Sequence, residues 1–238
     1  MQVKSLTAFS GRQSMNFKGN YIQIGTVDIS RFREMVGTLS EEDWNRNAWR
    51  QQAYETHKAT QTIALIFDED FRHENPTVLP GFHRFEPVLR PVMRIISAHY
   101  NKSVKAQRLY RKHGPGYFVR MNLVRLSPGG EIPEHLDRNY SLTHGHRIHL
   151  PVVTNDKADF IVGGERINMK EGEIWEINNR HVHSVVNRGD EGRVHLILDW
   201  VVPGEPCCCG RRLHPRVPCS PEACNETDHA LLPCSCYD

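Results

Sequence analysis

The sequence predicts a mainly β protein of the sandwich-or-barrel kind, a group that includes double-sheet jelly rolls, with helices packed on it from the N-terminal side. Three observations carry this. From Tyr117 onward, short runs rich in β-branched and apolar residues alternate with turn sequences. Ahead of Gly116, two stretches have helical periodicity instead. The length of 238 residues suits one domain with a sizeable core, or one domain and a tail.

Taken in order, residues 1–39 read as an irregular or strand-like beginning, with Tyr21, Ile22 and Ile24 as its apolar part. Ser40-Glu41-Glu42-Asp43 has the serine cap and acidic first turn of a helix, expected to run to about Ala53. Thr60 to Phe67 reads as a strand, and Glu86 to Tyr100 as a second helix with Pro87 in its first turn. The β pattern follows in the runs 117–126, 147–154, 159–162, 174–177, 181–187 and 193–202, each closed by Gly, Asn, Asp or Pro. The expected organisation is a supporting part over 1–115, a catalytic core over 116–203 and a Cys/Pro-rich tail over 204–238.

Composition narrows the partners. Hydrophobic residues make up 39% and charged residues 24%, with a net charge of +2, so nothing favours nucleic acid or an anionic membrane. No apolar run reaches spanning length, and Met1 to Phe9 lacks the layout of a signal peptide, so the expectation is a soluble, cytoplasmic protein. All seven cysteines lie between Cys207 and Cys236, so the body needs no disulfide and uses no cysteine as ligand or nucleophile. With His214 and His229 they could bind zinc, although the spacing is not that of a zinc ribbon. A disordered or metal-responsive extension is the expected reading of the tail.

The chemistry starts at His135-Leu136-Asp137. On a strand, residues two apart share a face, so an imidazole and a carboxylate would project together. Two histidines and a carboxylate on one face of a divalent metal leave the other face open, which is the ligand set of non-haem Fe(II) oxygenases. Parity does not separate His181 from His183 as the third ligand. Context favours His183, because Arg193 follows ten residues later at the start of the next strand. From there a guanidinium would pair bidentately with the distal carboxylate of 2-oxoglutarate. His144-Gly145-His146 is a second ligand-like pair, but in a polar, glycine-containing loop. Asn178, Asn179 and Asn187 read as turn residues, Trp175 as core or pocket wall, and His195 as a buried hydrogen-bonded histidine.

In these stretches the sequence resembles the aspartyl/asparaginyl β-hydroxylase family of 2-oxoglutarate oxygenases. The resemblance rests on Pro128-Gly129-Gly130, His135-Leu136-Asp137, Arg147-Ile148-His149-Leu150, Trp175 to Asn179, His183 to Asn187 and Arg193 to Asp199, in that order and spacing. His57 to Ile63 adds a less specific match. The resemblance implies a cupin-like double-stranded β-helix with N-terminal helices. It also implies Fe(II) held by His135, Asp137 and His183, 2-oxoglutarate clamped by Arg193, and O₂ as the oxidant. Arg147 and His149 would lie near the cosubstrate or substrate carboxylate, and Arg50, Gln51, His57 and Thr62 near the pocket. The implied reaction is hydroxylation of an Asp- or Asn-like side chain, in a peptide or a free amino acid, with release of succinate and CO₂. A metal-binding cupin acting as an isomerase or a cosubstrate-independent dioxygenase, and a non-enzymatic cupin-like binding module, are the competing readings. On this organisation, a chain ending at Gly204 keeps a folded core, which circular dichroism and thermal unfolding of the truncated protein would check.

Overall fold

The computed structural model describes residues 17, 19–46, 58–69, 75–137, 141–142, 145–205, 213–214 and 217–218. The elements run β1 (Tyr21–Thr26), α1 (Ser30–Gly37), α2 (Glu41–Asn45), β2 (Thr60–Phe67), β3 (Thr77–Val78), α3 (Pro80–Asn101) and α4 (Val104–His113). The strands β4 (Tyr117–Leu126), β5 (Glu131–His135), β6 (His146–Val153), β7 (Ala158–Val162), β8 (Glu165–Ile167), β9 (Glu173–Ile177), β10 (His183–Asn187) and β11 (Arg193–Val201) follow. A two-residue ladder, β12 (Leu213–His214) with β13 (Val217–Pro218), lies in the tail. The cysteines at 207–236 and the rest of the helix expected to reach Ala53 fall outside the described residues.

The strand orders define the fold. A seven-stranded sheet runs β1-β9-β6-β11-β4-β2-β3, and a four-stranded sheet runs β5-β10-β7-β8. Eight successive strands, β4 to β11, therefore divide as β9-β6-β11-β4 facing β5-β10-β7-β8, with antiparallel pairing throughout. This is the double-stranded β-helix that the sequence resemblance implied. β1, β2 and β3 extend the larger sheet at its two edges.

The larger sheet is buried on both faces. Met121, Leu123, Ile148, Leu150, Leu196, Leu198 and Trp200 turn outward into one core with residues of α1, α2, α3 and α4. Their strand neighbours Asn122, His149, Arg193, His195 and Asp199 are equally buried but polar, and take the opposite face. Alternation here separates a helix-covered apolar face from a polar interior, rather than core from solvent. At one end the interior is closed by a second apolar cluster, Leu126, Ile132, Phe160, Val162, Met169, Ile177 and Val185.

The helices differ from expectation in three ways. The stretch before Leu39 includes a helix, α1, which buries Phe32 and Val36. The helix expected from Glu86 begins six residues earlier, with Pro80 in its first turn, and continues through Pro87 and Pro91. Each interior proline costs about 3 kcal/mol. Seven buried side chains on one face, Phe82, Phe85, Val88, Leu89, Val92, Ile96 and Tyr100, offset this at about 1.5–3 kcal/mol for each large apolar group. The third difference is α4, which opens with the Ser103 hydroxyl accepting from the Ala106 amide and closes at Gly114, φ 93°. Among the described residues, no helix is long and apolar enough to cross a membrane.

One polar cluster on the outer face fixes where the core ends. His146 opens β6 and is buried, with Nδ1 2.7 Å from Glu176 and Nε2 2.8 Å from Glu205. The Tyr100 ring lies 4.9 Å from it and stacks on Trp200. The boundary expected after Gly204 thus falls one residue short of a carboxylate that closes the core. Burial disfavours the His146 cation, but Glu176 and Glu205 outweigh it and raise its pKa to about 10, from 6.5. The stabilisation is complete below pH 6.5 and is lost as the pH rises through about 10. Glu205→Gln should lower stability at pH 6 by about 2 kcal/mol. Urea unfolding of both proteins should show that deficit shrinking as the pH is raised toward 10.

Candidate metal centre

His135 ends β5 and His183 begins β10, and the two are direct partners across that antiparallel pair. Their ring centroids are 4.2 Å apart. Asp137 lies two residues beyond the end of β5 rather than on the strand, so the chain's turn, not strand parity, brings its carboxylate round. One ligand atom from each of His135, Asp137 and His183 lies within 4.8 Å of the others. His183 Nε2 is 3.6 Å from Asp137 Oδ2. Ligands on one octahedral face with bonds of about 2.1 Å would be about 3 Å apart, so a small contraction would complete the site.

The donor chemistry also fits a metal. His135 Nδ1 is 2.7 Å from the Pro133 carbonyl and His183 Nδ1 is 3.0 Å from the His181 carbonyl. A carbonyl only accepts, so in each ring Nδ1 carries the proton and Nε2 carries the lone pair, as a ligating histidine requires. Burial, with His135 adding and Asp137 opposing, holds His183 down to about 4, so it is neutral at physiological pH. Burial pushes the Asp137 carboxyl up, but Arg147, His183 and His135 outweigh it and hold it well below the usual carboxylate range.

Beyond the triad, Phe160 forms a shared wall. Its ring stacks with His183 at 6.5 Å, meets His149 edge-on at 4.8 Å and lies under the Arg193 guanidinium at 5.7 Å. Arg193 is 3% exposed. Its side-chain contacts are to His195, with Nε 2.9 Å from one ring nitrogen and Nη2 2.7 Å from the other. A neutral imidazole accepts through one nitrogen only, so one of these contacts at most is a good hydrogen bond. Among the described residues no carboxylate lies within ion-pairing distance of Arg193, and burial pushes it down to about 9. Both ring nitrogens of His149 are buried without a hydrogen-bond partner. An uncompensated buried cation and an orphaned imidazole beside the triad fit an anionic, hydrogen-bonding ligand.

Arg147 has different partners from those the resemblance implied. Nη1 donates to Asp137 Oδ2 at 2.7 Å, while Nε and Nη2 donate to the two oxygens of Asp199 at 2.8 and 2.9 Å. It holds a candidate ligand in place instead of facing a cosubstrate with open donors. His181 is not in the cluster, since Nδ1 meets Asn20 Oδ1 at 2.7 Å. Asn178, Asn179 and Asn187 donate to backbone carbonyls, as turn residues do. Trp175 is half-buried against Tyr21. Thr62 is buried on β2, and Arg50, Gln51, His57 and His144 lie outside the described residues. Sequence reasoning missed Phe160 and Asp199. Asp199 sits inside the family-like stretch 193–199, but only the register of β11 against β6 pairs it with Arg147.

Fold and cluster together define a class, a double-stranded β-helix protein with two histidines and one carboxylate poised for a metal. Residues 100–203 match the family model of aspartyl/asparaginyl beta-hydroxylase. That segment is under half of the chain but contains the whole β-helix. No curated protein matches the chain. Among solved structures, an oxidoreductase of the 2OG-Fe(II) oxygenase family from Burkholderia pseudomallei is 16% identical, covering 60% of this chain and 66% of its own, with a TM-score of 0.46. The viral collagen prolyl hydroxylase of Paramecium Bursaria Chlorella virus-1 is 7% identical over 77% of this chain and 96% of its own, TM-score 0.48. A cupin domain from Bordetella pertussis is 19% identical over 35% and 82%, TM-score 0.29.

Arg193→Leu should have opposite effects on stability and binding. Removing an unpaired buried cation should stabilise the ligand-free protein by about 1–3 kcal/mol. The same change should weaken 2-oxoglutarate binding by about 2–5 kcal/mol. Thermal unfolding with and without 2-oxoglutarate reads both, and a variant both less stable and still protected by the ligand would contradict the assignment.

Proposed function

We propose that this chain is an Fe(II)- and 2-oxoglutarate-dependent dioxygenase that hydroxylates an Asp- or Asn-like side chain, in a peptide or a free amino acid. The observation that carries the reading is the pairing of two incomplete sites across one buried interior. At one end stand three ligand atoms of the right kind and tautomer. At the other stands a buried guanidinium with no counter-ion among the described residues. A dicarboxylate bridging them supplies what each lacks.

His135, Asp137 and His183 would hold the iron from one side and leave its other positions open. Bound there, iron with 2-oxoglutarate and O₂ supplies the oxidising power for C–H hydroxylation, giving succinate and CO₂. The protein's part is placement. Arg193 would take the distal carboxylate through two parallel N–H donors. Phe160 and the apolar cluster around Ile132, Val162 and Val185 keep that end dry, which strengthens every polar contact made in it. His149, with both nitrogens unengaged, would donate to the cosubstrate from the side wall. The Asp/Asn preference is supported by the family match over 100–203.

The test is to add 2-oxoglutarate to iron-loaded protein without O₂ and record the visible spectrum, then admit O₂ and measure succinate with Asp- and Asn-containing peptides. A charge-transfer band that appears on adding 2-oxoglutarate, and substrate-stimulated succinate, are expected. Both should vanish in His135→Ala and His183→Ala. Iron binding without the band or the succinate would favour a metal-binding cupin that uses no cosubstrate.

A further inference from the structure

Arg147 sits on β6 directly opposite Asp199 on β11. Asp199 is 1% exposed and presents both oxygens to the guanidinium, at 2.8 and 2.9 Å. The remaining arm, Nη1, reaches Asp137 Oδ2 at 2.7 Å. A fork gripped on two nitrogens cannot swing about its long axis, so the third nitrogen has one place to point. On its other side, β11 pairs with β4, where Arg120 is the direct partner of Asp199. Arg120 is itself tied to Asp68, and the second oxygen of Asp68 takes the Ser141 hydroxyl. Ser141 lies four residues after Asp137, and the carbonyl of its neighbour Leu142 takes the amide of Asn179 at 2.6 Å. The chain leaving Asp137 is therefore held at 141 and 142 as well as at the carboxylate. Gly145 completes the closure, since a Cβ there would come within 3.0 Å of the Ser141 carbonyl and 3.4 Å of Asp199.

We infer that Asp199 is a positioning residue for the metal centre, acting through Arg147 to fix the rotamer of Asp137. The inference rests on the metal-centre reading. The argument is one of geometry. Asp137 lies beyond the end of β5, so no strand ladder fixes its direction as it does for His135 and His183. Arg147 alone would be a single mobile contact, and Asp199 converts it into a rigid strut anchored across two strands of the larger sheet. In Asp199→Asn, the side chain keeps its shape but turns an N–H toward a guanidinium that has only N–H groups to offer, so the fork opens and the Arg147 contact to Asp137 is no longer fixed.

The experiment titrates Co(II) into the full-length chain and follows the visible ligand-field bands, which report coordination rather than turnover. Wild type should saturate. Asp199→Asn should bind about 10–100-fold more weakly, with shifted bands because the carboxylate no longer holds one orientation. Arg147→Lys keeps the charge but cannot span both carboxylates, and should show the same weakening and shift if Asp199→Asn fails to fold by circular dichroism. Affinity within twofold of wild type and superimposable bands in the folded variants overturn the inference and leave the metal centre standing. A wild-type chain that takes up no Co(II) overturns both.

Discussion

Two arginines on adjacent strands of one sheet, Arg193 buried and Arg147 mostly so, set the character of the interior. Arg147 on β6 and Arg193 on β11 both point into the β-helix, yet the fold treats them oppositely. Burial disfavours the Arg147 cation, but Asp137 and Asp199 outweigh it and push its pKa further up. Arg193 is given an imidazole and an aromatic ring and is pushed down by burial. A paired guanidinium in a dry interior is structural, since it rigidifies what it touches. An unpaired one is a standing cost, and folded proteins keep such a group where a ligand will offset it. The polar interior thus divides into a part already satisfied, which holds Asp137, and a part left open around Arg193 and His149, where the proposed cosubstrate would bind.

That division depends on the sheet being covered outside. A polar face turned inward means the apolar face must be buried elsewhere, and α1, α2, α3 and α4 do this with Phe32, Trp44, Phe85, Leu89, Val92, Ile96 and Ala106. The helices are therefore part of the same solution as the site. Without them, Leu196 and Leu198 would face water, and the sheet would have reason to turn over and expel its charges. Burial at that face also explains how α3 runs through two prolines, because the register that keeps seven side chains on one stripe is worth more than two backbone hydrogen bonds.

What could be read from the sequence follows the same line. Six of the eight β-helix strands from Tyr117 onward were legible because β-branched runs and Gly, Asn and Asp turns are local signals, whereas β5 (Glu131–His135) and β8 (Glu165–Ile167) carry too few apolar residues to be read as runs. Spacing tied His135, His183 and Arg193 together in the sequence, and the fold brings His135 and His183 into direct register. Two helices were not read. In α1 only Phe32 and Val36 are buried, and no side chain caps its start. α4 buries only Ala106, and its evidence lay in the Ser103 cap and Gly114 at its end. The partners of the charged groups were out of reach for a different reason. Asp199 with Arg147, Asp68 with Arg120 and Glu205 with His146 join residues 52 or more apart, and only the strand register and the path of the chain bring them together. Arg147 shows the consequence, since a position read from resemblance gave it a ligand where the register gives it Asp199 and the turn after β5 gives it Asp137.

The choice between His181 and His183 makes the point at atomic scale. Parity alone would put both on one face, and both take part in building the candidate site, but through different atoms. His183 is in register with His135 and Val162, and so enters the interior. His181 precedes the strand, and its ring turns to Asn20, whose amide also reaches Glu165 and whose carbonyl takes the Asn178 N–H. Its backbone carbonyl then accepts from His183 Nδ1 and fixes which nitrogen of that ring bears the lone pair. The side chain of His181 thus ties the segment before β1 to the rim, while its main chain sets the tautomer of a candidate ligand. A substitution at 181 that kept the backbone in place would leave His183 correctly protonated. Position 181 is thus the support on which the candidate ligand His183 rests.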